Sequence, residues 1–141
     1  MIPRGRILVV DDDPAILDLA ATVLETASYD VSSARSGFDA LRIARRERFD
    51  LVLLDINMPE MDGWETLRLL KADDDIRRLP VIMFSVKGEV RDKIHGMQEG
   101  AVDYLTKPFE VNELLLRVQR VLDREDGGDP PGAGAKGGRS R

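Results

Sequence analysis

Five short apolar runs alternate along this chain with longer segments of mixed polarity. The runs are residues 6–10, 29–34, 51–55, 80–84 and 102–106. Nearly continuous apolar runs of this length are typical of strands buried on both faces of a parallel sheet. The segments between and after them carry apolar residues at the three- and four-residue spacing of one helical face. The pattern therefore predicts five β-strands, each followed by a helix.

Such alternation predicts an α/β protein with parallel strands joined by right-handed crossovers. For five strands we expect a doubly wound sheet of flavodoxin-like order 2-1-3-4-5 in three αβα layers. The 141 residues suit one hydrophobic core, and we place the domain at residues 1–123. Residues 124–141 hold six of the twelve glycines and two adjacent prolines, which predicts a flexible tail.

Local signals indicate where the helices begin and which faces they bury. Asp13 with Pro14 predicts a capped start for the first helix, and Asp62 predicts a cap for the third, expected near residues 64–71. The fourth is expected to end before Gly100. Expected core-facing residues are Ile16, Leu19, Ala20, Val23, Leu24 and Ala27 in the first helix, Phe38, Leu41 and Ala44 in the second, Val90, Ile94 and Met97 in the fourth, and Val111, Leu114, Leu115, Val118, Val121 and Leu122 in the last.

Composition narrows the possible partners and compartments. A net charge of −5 and a pI near 5.0 give no electrostatic case for nucleic acid. No apolar stretch approaches the roughly 20 residues of a membrane span, and the N-terminus lacks a signal-peptide pattern, so we expect a cytoplasmic protein. Two charged clusters are interpreted as solvated surface. They are Arg45, Arg46 and Arg48 near the end of the second helix, and the triplet Asp73, Asp74 and Asp75.

The absence of cysteine limits the chemistry of any site. It excludes disulfides, thiolate metal ligands and cysteine nucleophiles. A metal would need oxygen ligands or the single His95, which favours Mg²⁺ or Ca²⁺. His95 has no second candidate ligand near it in the sequence, so we interpret it as a surface or half-buried histidine rather than a ligand.

Polar side chains stand where four of the predicted strands end. They are Asp11 and Asp12 after the first strand, Asp55 at the end of the third, Ser85 after the fourth and Lys107 after the fifth. The carboxyl ends of parallel strands share one edge of the sheet, where such folds bind their ligands. Three clustered carboxylates repel one another, so one keeps its proton unless a cation lies among them. Mg²⁺ suits this set, because it binds one or two carboxylates together with a phosphate oxygen.

The same residues indicate which group carries the chemistry. A lysine and a hydroxyl provide the positive charge and the donor that a phosphoryl group requires. Ser85 as a nucleophile would lack an activating base, whereas a carboxylate is ionised at pH 7. Asp55 alone would be equally compatible with a turn residue. Together with the other strand ends, it points to a Mg²⁺-dependent site that forms an aspartyl phosphate.

Four segments carry a resemblance to a known family. They are residues 7–14 (ILVVDDDP), 53–63 (LLDINMPEMDG), 81–85 (VIMFS) and 100–109 (GAVDYLTKPF). In this order and spacing, from about residue 6 to residue 123, they resemble the receiver domain of bacterial two-component response regulators. The resemblance implies a signalling domain, not a turnover enzyme, whose Asp55 accepts a phosphoryl group from a sensor histidine kinase or a phosphotransfer protein.

The resemblance also implies roles for the other site residues. Asp12, Asp55 and the backbone carbonyl of Asn57 would bind Mg²⁺, with Asp11 assisting mainly through water. Lys107 would bridge Asp55 and the phosphoryl oxygens. 

A switch is implied as well. Ser85 would move to the phosphoryl group while Tyr104 turns inward. The face formed by the fourth helix, fifth strand and fifth helix would then change its affinity for an unknown downstream protein. The domain would be a monomer or a phosphorylation-dependent dimer. The family has a cis peptide before Pro108, where the sequence alone favours trans.

Several positions and readings stay open at this stage. Ser85 and Val86 stand where the family more often has Thr and Ala, and Asn57 and Lys87 occupy variable positions that tune dephosphorylation. A Mg²⁺-dependent phosphohydrolase with Asp55 as nucleophile, like haloacid-dehalogenase-like enzymes, is the main alternative, although Asn57 replaces the acid that such enzymes use. The chain could also be a receiver excised from a longer regulator.

Overall fold

The computed structural model describes residues 2–86 and 98–127, with side chains up to residue 124. In chain order its elements are β1 (Arg6–Val10), α1 (Pro14–Thr26), β2 (Asp30–Ala34), α2 (Gly37–Arg46), β3 (Leu51–Asp55), α3 (Gly63–Ala72), β4 (Val81–Val86), β5 (Asp103–Lys107) and α4 (Val111–Gly127). The predicted fourth helix lies mostly outside the described residues, as do Lys87, Val90, Ile94, His95 and Met97. The last helix is therefore numbered α4.

All five strands form one parallel sheet of order β2-β1-β3-β4-β5. The sequence-based expectation of a doubly wound flavodoxin-like sheet is confirmed. Side chains of one face pack against α2 and α3, and those of the other face pack against α1 and α4. The protein therefore has the three αβα layers expected from the alternating pattern.

The central strands explain why the apolar runs are continuous. Successive side chains of β1 point to opposite faces, and each face is covered by helices. Leu8 and Val10 lie in the core under α2 and α3, and Ile7 and Val9 in the core under α1 and α4. All four are completely buried. This leaves no solvated face on which β1 could place polar residues.

The helix starts follow the predicted caps. Asp13 accepts a hydrogen bond from the Ala15 amide at the start of α1, with Pro14 in the first turn. Asp62 accepts from the Glu65 amide at the start of α3. These side chains satisfy amide groups that have no partner within the helix. Both helices consequently begin at the sheet edge where β1 and β3 end.

Three residues expected in the core are exposed instead. Leu19 is 48%, Phe38 56% and Val111 49% exposed. Each residue advances about 100° around a helix. Leu19 therefore lies about 100° from Ala20 and outside the buried stripe of α1. The buried residues of α1 are Leu17, Ala20, Val23 and Leu24. Phe38 and Val111 lie in the first turns of their helices, beyond the strand ends, where the sheet does not cover them.

Several element ends also differ from the expectation. β4 continues to Val86, so Ser85 lies inside the strand instead of after it, and β5 includes Lys107 as its last residue. Strand pairing extends this far because Ser85 and Val86 pair with Thr106 and Lys107. α4 continues to Gly127, and the rest of the predicted tail lies outside the described residues.

The two charged clusters lie at the surface as expected. Arg45 is exposed and forms an ion pair of 2.9 Å with Asp73, which ends α3. α2 ends at Arg46, so Arg48 follows the helix instead of lying in its last turn. None of the described helices has the length and apolar character that crossing a bilayer requires.

Candidate functional site

The strand register brings the polar strand ends into one row. Asp11 follows β1 directly, and its amide donates to the Ala34 carbonyl at the end of β2. Asp55 ends β3 and pairs with Phe84 of β4. Because the sheet is parallel, the end of each of these strands lies at the same edge. The residues singled out in the sequence therefore converge there.

Three carboxylates form the centre of the site. Ligand oxygens of Asp11, Asp12 and Asp55 all lie within 4.8 Å of one another. Asp11 is 1% and Asp55 3% exposed, while Asp12 is half-buried. Asp11 Oδ1 accepts from the Asp13 amide at 3.0 Å, which fixes the orientation of the carboxylate. A hard divalent cation with oxygen ligands fits this donor set.

Lys107 reaches into the same cluster from β5. Its Nζ donates to Asp11 Oδ2 at 2.6 Å and to Asp55 Oδ1 at 3.0 Å. The ammonium also lies 4.9 Å from the centre of the Phe84 ring, where a cation is attracted to the aromatic face. Burial lowers the pKa of Lys107, but the hydrogen bonds and charges of the two aspartates outweigh burial and raise the pKa overall. Lys107 is therefore a fixed positive charge between two carboxylates.

The surroundings of Asp55 raise the pKa of its carboxyl group. Its burial raises its pKa, the hydrogen bond from Lys107 lowers it, and the charges of Asp11 and Asp12 raise it again. The net result is a pKa of about 6, compared with 3.8 for an ordinary aspartate. Ionising Asp55 in the folded protein therefore costs free energy, and a positive ligand or a covalent change that removes this charge relieves it.

This pKa predicts how stability depends on pH in the absence of divalent ions. Below about pH 4 the folded and unfolded states both carry a protonated Asp55, so no stability is lost. Between pH 4 and about 6 the unfolded chain ionises while the folded protein keeps its proton. Stability therefore falls as pH rises through the folded pKa, by up to about 3 kcal/mol. Asp55→Asn removes the ionisation and should be more stable than the parent at pH 7.5 by about 1–3 kcal/mol.

Urea unfolding in EDTA at several pH values measures this effect. The matched control is Asp18→Asn, which changes an exposed carboxylate on α1. The stabilisation should appear in Asp55→Asn only, and it should grow between pH 4 and pH 7.5. Parallel stability curves for Asp55→Asn and the parent across this range would contradict the assignment.

Ser85 lies on β4, next to the strand that ends in Asp55, and Tyr104 lies on β5, one strand further along the sheet. Ser85 is fully buried on β4, and among the described residues its Oγ has no hydrogen-bond partner. A buried hydroxyl without a partner is uncommon and calls for an explanation. An incoming group with oxygen acceptors would supply one. Tyr104 is 5% exposed and packs in the core beneath α2 and α3, so its described position is the inward one.

The loop after β3 lies beside the acidic cluster at the same sheet edge. Asn57 lies two residues beyond Asp55 with an exposed side chain. The Gly63 amide donates to the Ile56 carbonyl at 2.8 Å, which closes the loop under the site. Lys107 and Pro108 are joined by a cis peptide bond, as the resemblance implies. Trp64 is half-buried and packs against the core at the start of α3.

A cavity of about 560 Å³ lies at the opposite edge of the sheet and contains none of the site residues. It is formed by the end of α2 and the segments before β3 and β4. Sequence reasoning assigned no role to Arg35 or Gly63 at the acidic edge. Arg35 follows β2 directly, which is the same positional signal that identified the aspartates. Gly63 ends the segment of residues 53–63 that carries the resemblance, but Asp62 was sufficient to explain the helix start.

Comparison with known proteins agrees with this geometry. The sequence-family model of the response regulator receiver domain matches residues 7–119 of this chain. The chain is 45% identical over 121 residues to the DNA-binding dual master transcriptional regulator RpaA of Synechocystis, covering 86% of this chain and 50% of the relative. It is 40% identical over 123 residues to the DNA-binding response regulator MtrA of Mycolicibacterium smegmatis, covering 87% of this chain and 53% of the relative. It thus spans about half the length of these two relatives.

Solved structures show the same fold. The chemotaxis protein CheY4 of Vibrio cholerae superimposes with a TM-score of 0.79 at 33% identity, covering 83% of this chain and 98% of that one. The receiver domain of the Francisella response regulator 1452 gives a TM-score of 0.79 at 34% identity, covering 86% of this chain and 98% of that one. With a family match across most of its length, a shared fold and the same strand order, the chain belongs to the response regulator receiver domain family.

Proposed function

We propose that this receiver accepts a phosphoryl group on Asp55 in a Mg²⁺-dependent reaction and that phosphorylation changes its binding to a downstream protein. The observation that carries the proposal is that three carboxylates, Lys107 and the Ser85 hydroxyl, which has no hydrogen-bond partner among the described residues, lie at one sheet edge. Such a set provides a nucleophile, a cation site and two groups for a phosphoryl oxygen to bind.

The chain's own residues have distinct parts in this reaction. A carboxylate oxygen of Asp55 forms a bond to phosphorus while the bond from phosphorus to the donor's imidazole nitrogen breaks, and the electron pair leaves with that nitrogen. Lys107 stabilises the negative charge that gathers on the phosphoryl oxygens. Ser85 donates its hydroxyl to one of these oxygens once the group is attached.

The proposed cation site consists of Asp11, Asp12, Asp55 and the backbone carbonyl of Asn57, with Asp11 acting mainly through water. Bound Mg²⁺ would neutralise the carboxylates and the phosphoryl oxygens, which lets two negative groups approach each other. The half-buried Asp12 gives this site an opening to solvent.

The output surface is proposed on β5 and the helices beside it. Arg117 of α4 pairs with Asp103 of β5 at 2.7 Å and with Glu113 at 3.1 Å, so β5 and α4 are tied together by charge. Tyr104 lies on the same strand. Phosphorylation would favour the inward position of Tyr104 through Ser85, and the occupancy of this face by a partner would then depend on phosphorylation.

Membership of the family supports a proposal for the biological setting. The phosphodonor would be a sensor histidine kinase or a phosphotransfer protein in the cytoplasm. The downstream protein would bind the β5 and α4 face, and the domain would act as a monomer or a phosphorylation-dependent dimer. We propose that the receiver, predicted at residues 1–123, extends to the end of α4 at Gly127, four residues into the predicted tail of residues 124–141.

Acetyl phosphate tests the phosphorylation itself. With Mg²⁺, the intact mass should increase by one phosphoryl group, and hydroxylamine, which cleaves acyl phosphates, should remove it. Neither EDTA-treated protein nor Asp55→Asn should be labelled, whereas the surface control Asp18→Asn should be labelled like the parent. Absence of a Mg²⁺-dependent, hydroxylamine-sensitive phosphate would refute the proposal. Rapid turnover of unrelated phosphomonoesters would favour the phosphohydrolase instead.

A further inference from the structure

An arginine lies at the rim of the acidic site, on the side away from Lys107. Arg35, Asp11 and Asp55 each follow a row of paired residues on the adjacent strands β2, β1 and β3. Neighbouring strands lie about 4.8 Å apart, so the backbone of Arg35 is about 10 Å from that of Asp55. The long side chain of Arg35 therefore begins within reach of the site's opening.

The side chain of Arg35 extends towards the acidic cluster. Its Nη2 donates to the Asp12 carbonyl at 3.4 Å, which is a long hydrogen bond. The residue is exposed, and within residues 2–86 and 98–127 its guanidinium forms no ion pair. Its charge is therefore not neutralised by a described carboxylate, and it faces solvent next to the half-buried Asp12.

The net charge of the site determines how Arg35 affects an approaching anion. Three carboxylates and Lys107 carry a formal charge of −2, which repels an anionic phosphodonor. A bound divalent cation would bring this sum to zero, and Arg35 would then make the opening positive. Charges interact over about 10 Å at an ionic strength of 0.1 M and over about 30 Å at 0.01 M. Arg35 is thus close enough to act on a donor approaching Asp55.

We propose that Arg35 attracts the anionic phosphodonor to Asp55 and at the same time weakens cation binding beside Asp12. This inference rests on the proposed phosphorylation of Asp55. Arg35 is a positioning residue that acts on the approach of the donor through its charge, and it forms no bond to the phosphoryl group. Removing its charge should therefore affect the donor and the cation in opposite directions.

The test compares Arg35→Gln with Arg68→Gln, which removes an exposed arginine from α3. Labelling by acetyl phosphate is followed at saturating Mg²⁺ at about 0.01 M and about 1 M ionic strength. We expect Arg35→Gln to be labelled about two- to fivefold more slowly at low ionic strength and at the parent's rate at high ionic strength. Arg68→Gln should match the parent at both.

Mg²⁺ affinity supplies an independent measurement. In a titration followed by Trp64 fluorescence, or by the Mg²⁺-dependent rise in Tm, Arg35→Gln should bind Mg²⁺ about two- to threefold more tightly than the parent at low salt, and equal affinity would refute the effect on the cation. Weaker Mg²⁺ binding with a lower Tm would show that Arg35 supports the Asp12 backbone and would overturn the inference. Equal labelling of Arg35→Gln and the parent at low salt would also overturn it while leaving phosphorylation intact. A parent protein that is not labelled at all would overturn both proposals.

Discussion

Lys107→Met is expected to destabilise the Mg²⁺-free protein by about 3 kcal/mol at pH 7.5, because it leaves two buried carboxylates without their common cation. Methionine is similar in length to lysine, so the change removes charge with little loss of volume. The two hydrogen bonds to Asp11 and Asp55 disappear with the ammonium. Without this charge the pKa of Asp55, already raised to about 6, should rise further. The destabilisation should therefore shrink towards pH 5, where Asp55 takes up a proton.

The same variant should also lose activity. Phosphorylation by acetyl phosphate at saturating Mg²⁺ should slow at least about tenfold, because the charge that stabilises the phosphoryl oxygens is gone. Lys107→Arg separates charge from shape, since it keeps the positive charge but replaces a compact ammonium with a planar fork. It should recover part of the stability but little of the rate. Unchanged stability and rate in Lys107→Met would show that the bridging lysine has neither role.

Gly63→Ala is expected to destabilise the protein by about 3 kcal/mol through a backbone clash beneath the site. A Cβ on Gly63 would overlap the Asp55 carbonyl oxygen and lie 2.7 Å from the Ile56 Cα. Both atoms belong to the backbone, so no rotation of a side chain can relieve the overlap. Either α3 or the end of β3 must shift, which moves the Asp55 carboxylate relative to Lys107.

Gly5→Ala is the matched control for this clash. A Cβ there would first meet the Leu122 Cδ1 at 3.2 Å, the end of a side chain that can adjust. Urea unfolding should therefore show little change for Gly5→Ala and a large loss for Gly63→Ala, together with slower phosphorylation in the latter only. Equal stabilities of the two variants would show that the close approach beneath Asp55 is not a constraint.

The sheet was predictable because strands that are buried on both faces have continuous apolar runs in the sequence. A run such as Leu51 to Leu54 can be apolar without interruption only when both faces are covered, and helices cover both. The site was predictable for a related reason. Parallel strands bring their carboxyl ends together, so Asp11, Asp55 and Lys107 could be assigned to one edge without knowledge of any distance.

The sequence did not predict which backbones come into close contact or which exact face of each helix is buried. Apolar spacing placed Leu19 in the core because the stripe of α1 can be drawn one residue to either side, and only packing against the sheet selects Leu17. The tight approach of Gly63 to the end of β3 depends on the path of a loop that no local pattern specifies. The raised pKa of Asp55 likewise depends on its burial and on the position of Lys107.

Locating the phosphoryl group tests the central claim most directly. After labelling with acetyl phosphate and Mg²⁺, the acyl phosphate is reduced with borohydride, which converts the modified aspartate to homoserine, and the position is read by peptide sequencing in the mass spectrometer. Homoserine at position 55 and at no other aspartate is the result that the structure predicts. Modification at Asp11, at Asp12 or at a surface aspartate, with Asp55 intact, would contradict the assignment of Asp55 as the phosphoacceptor.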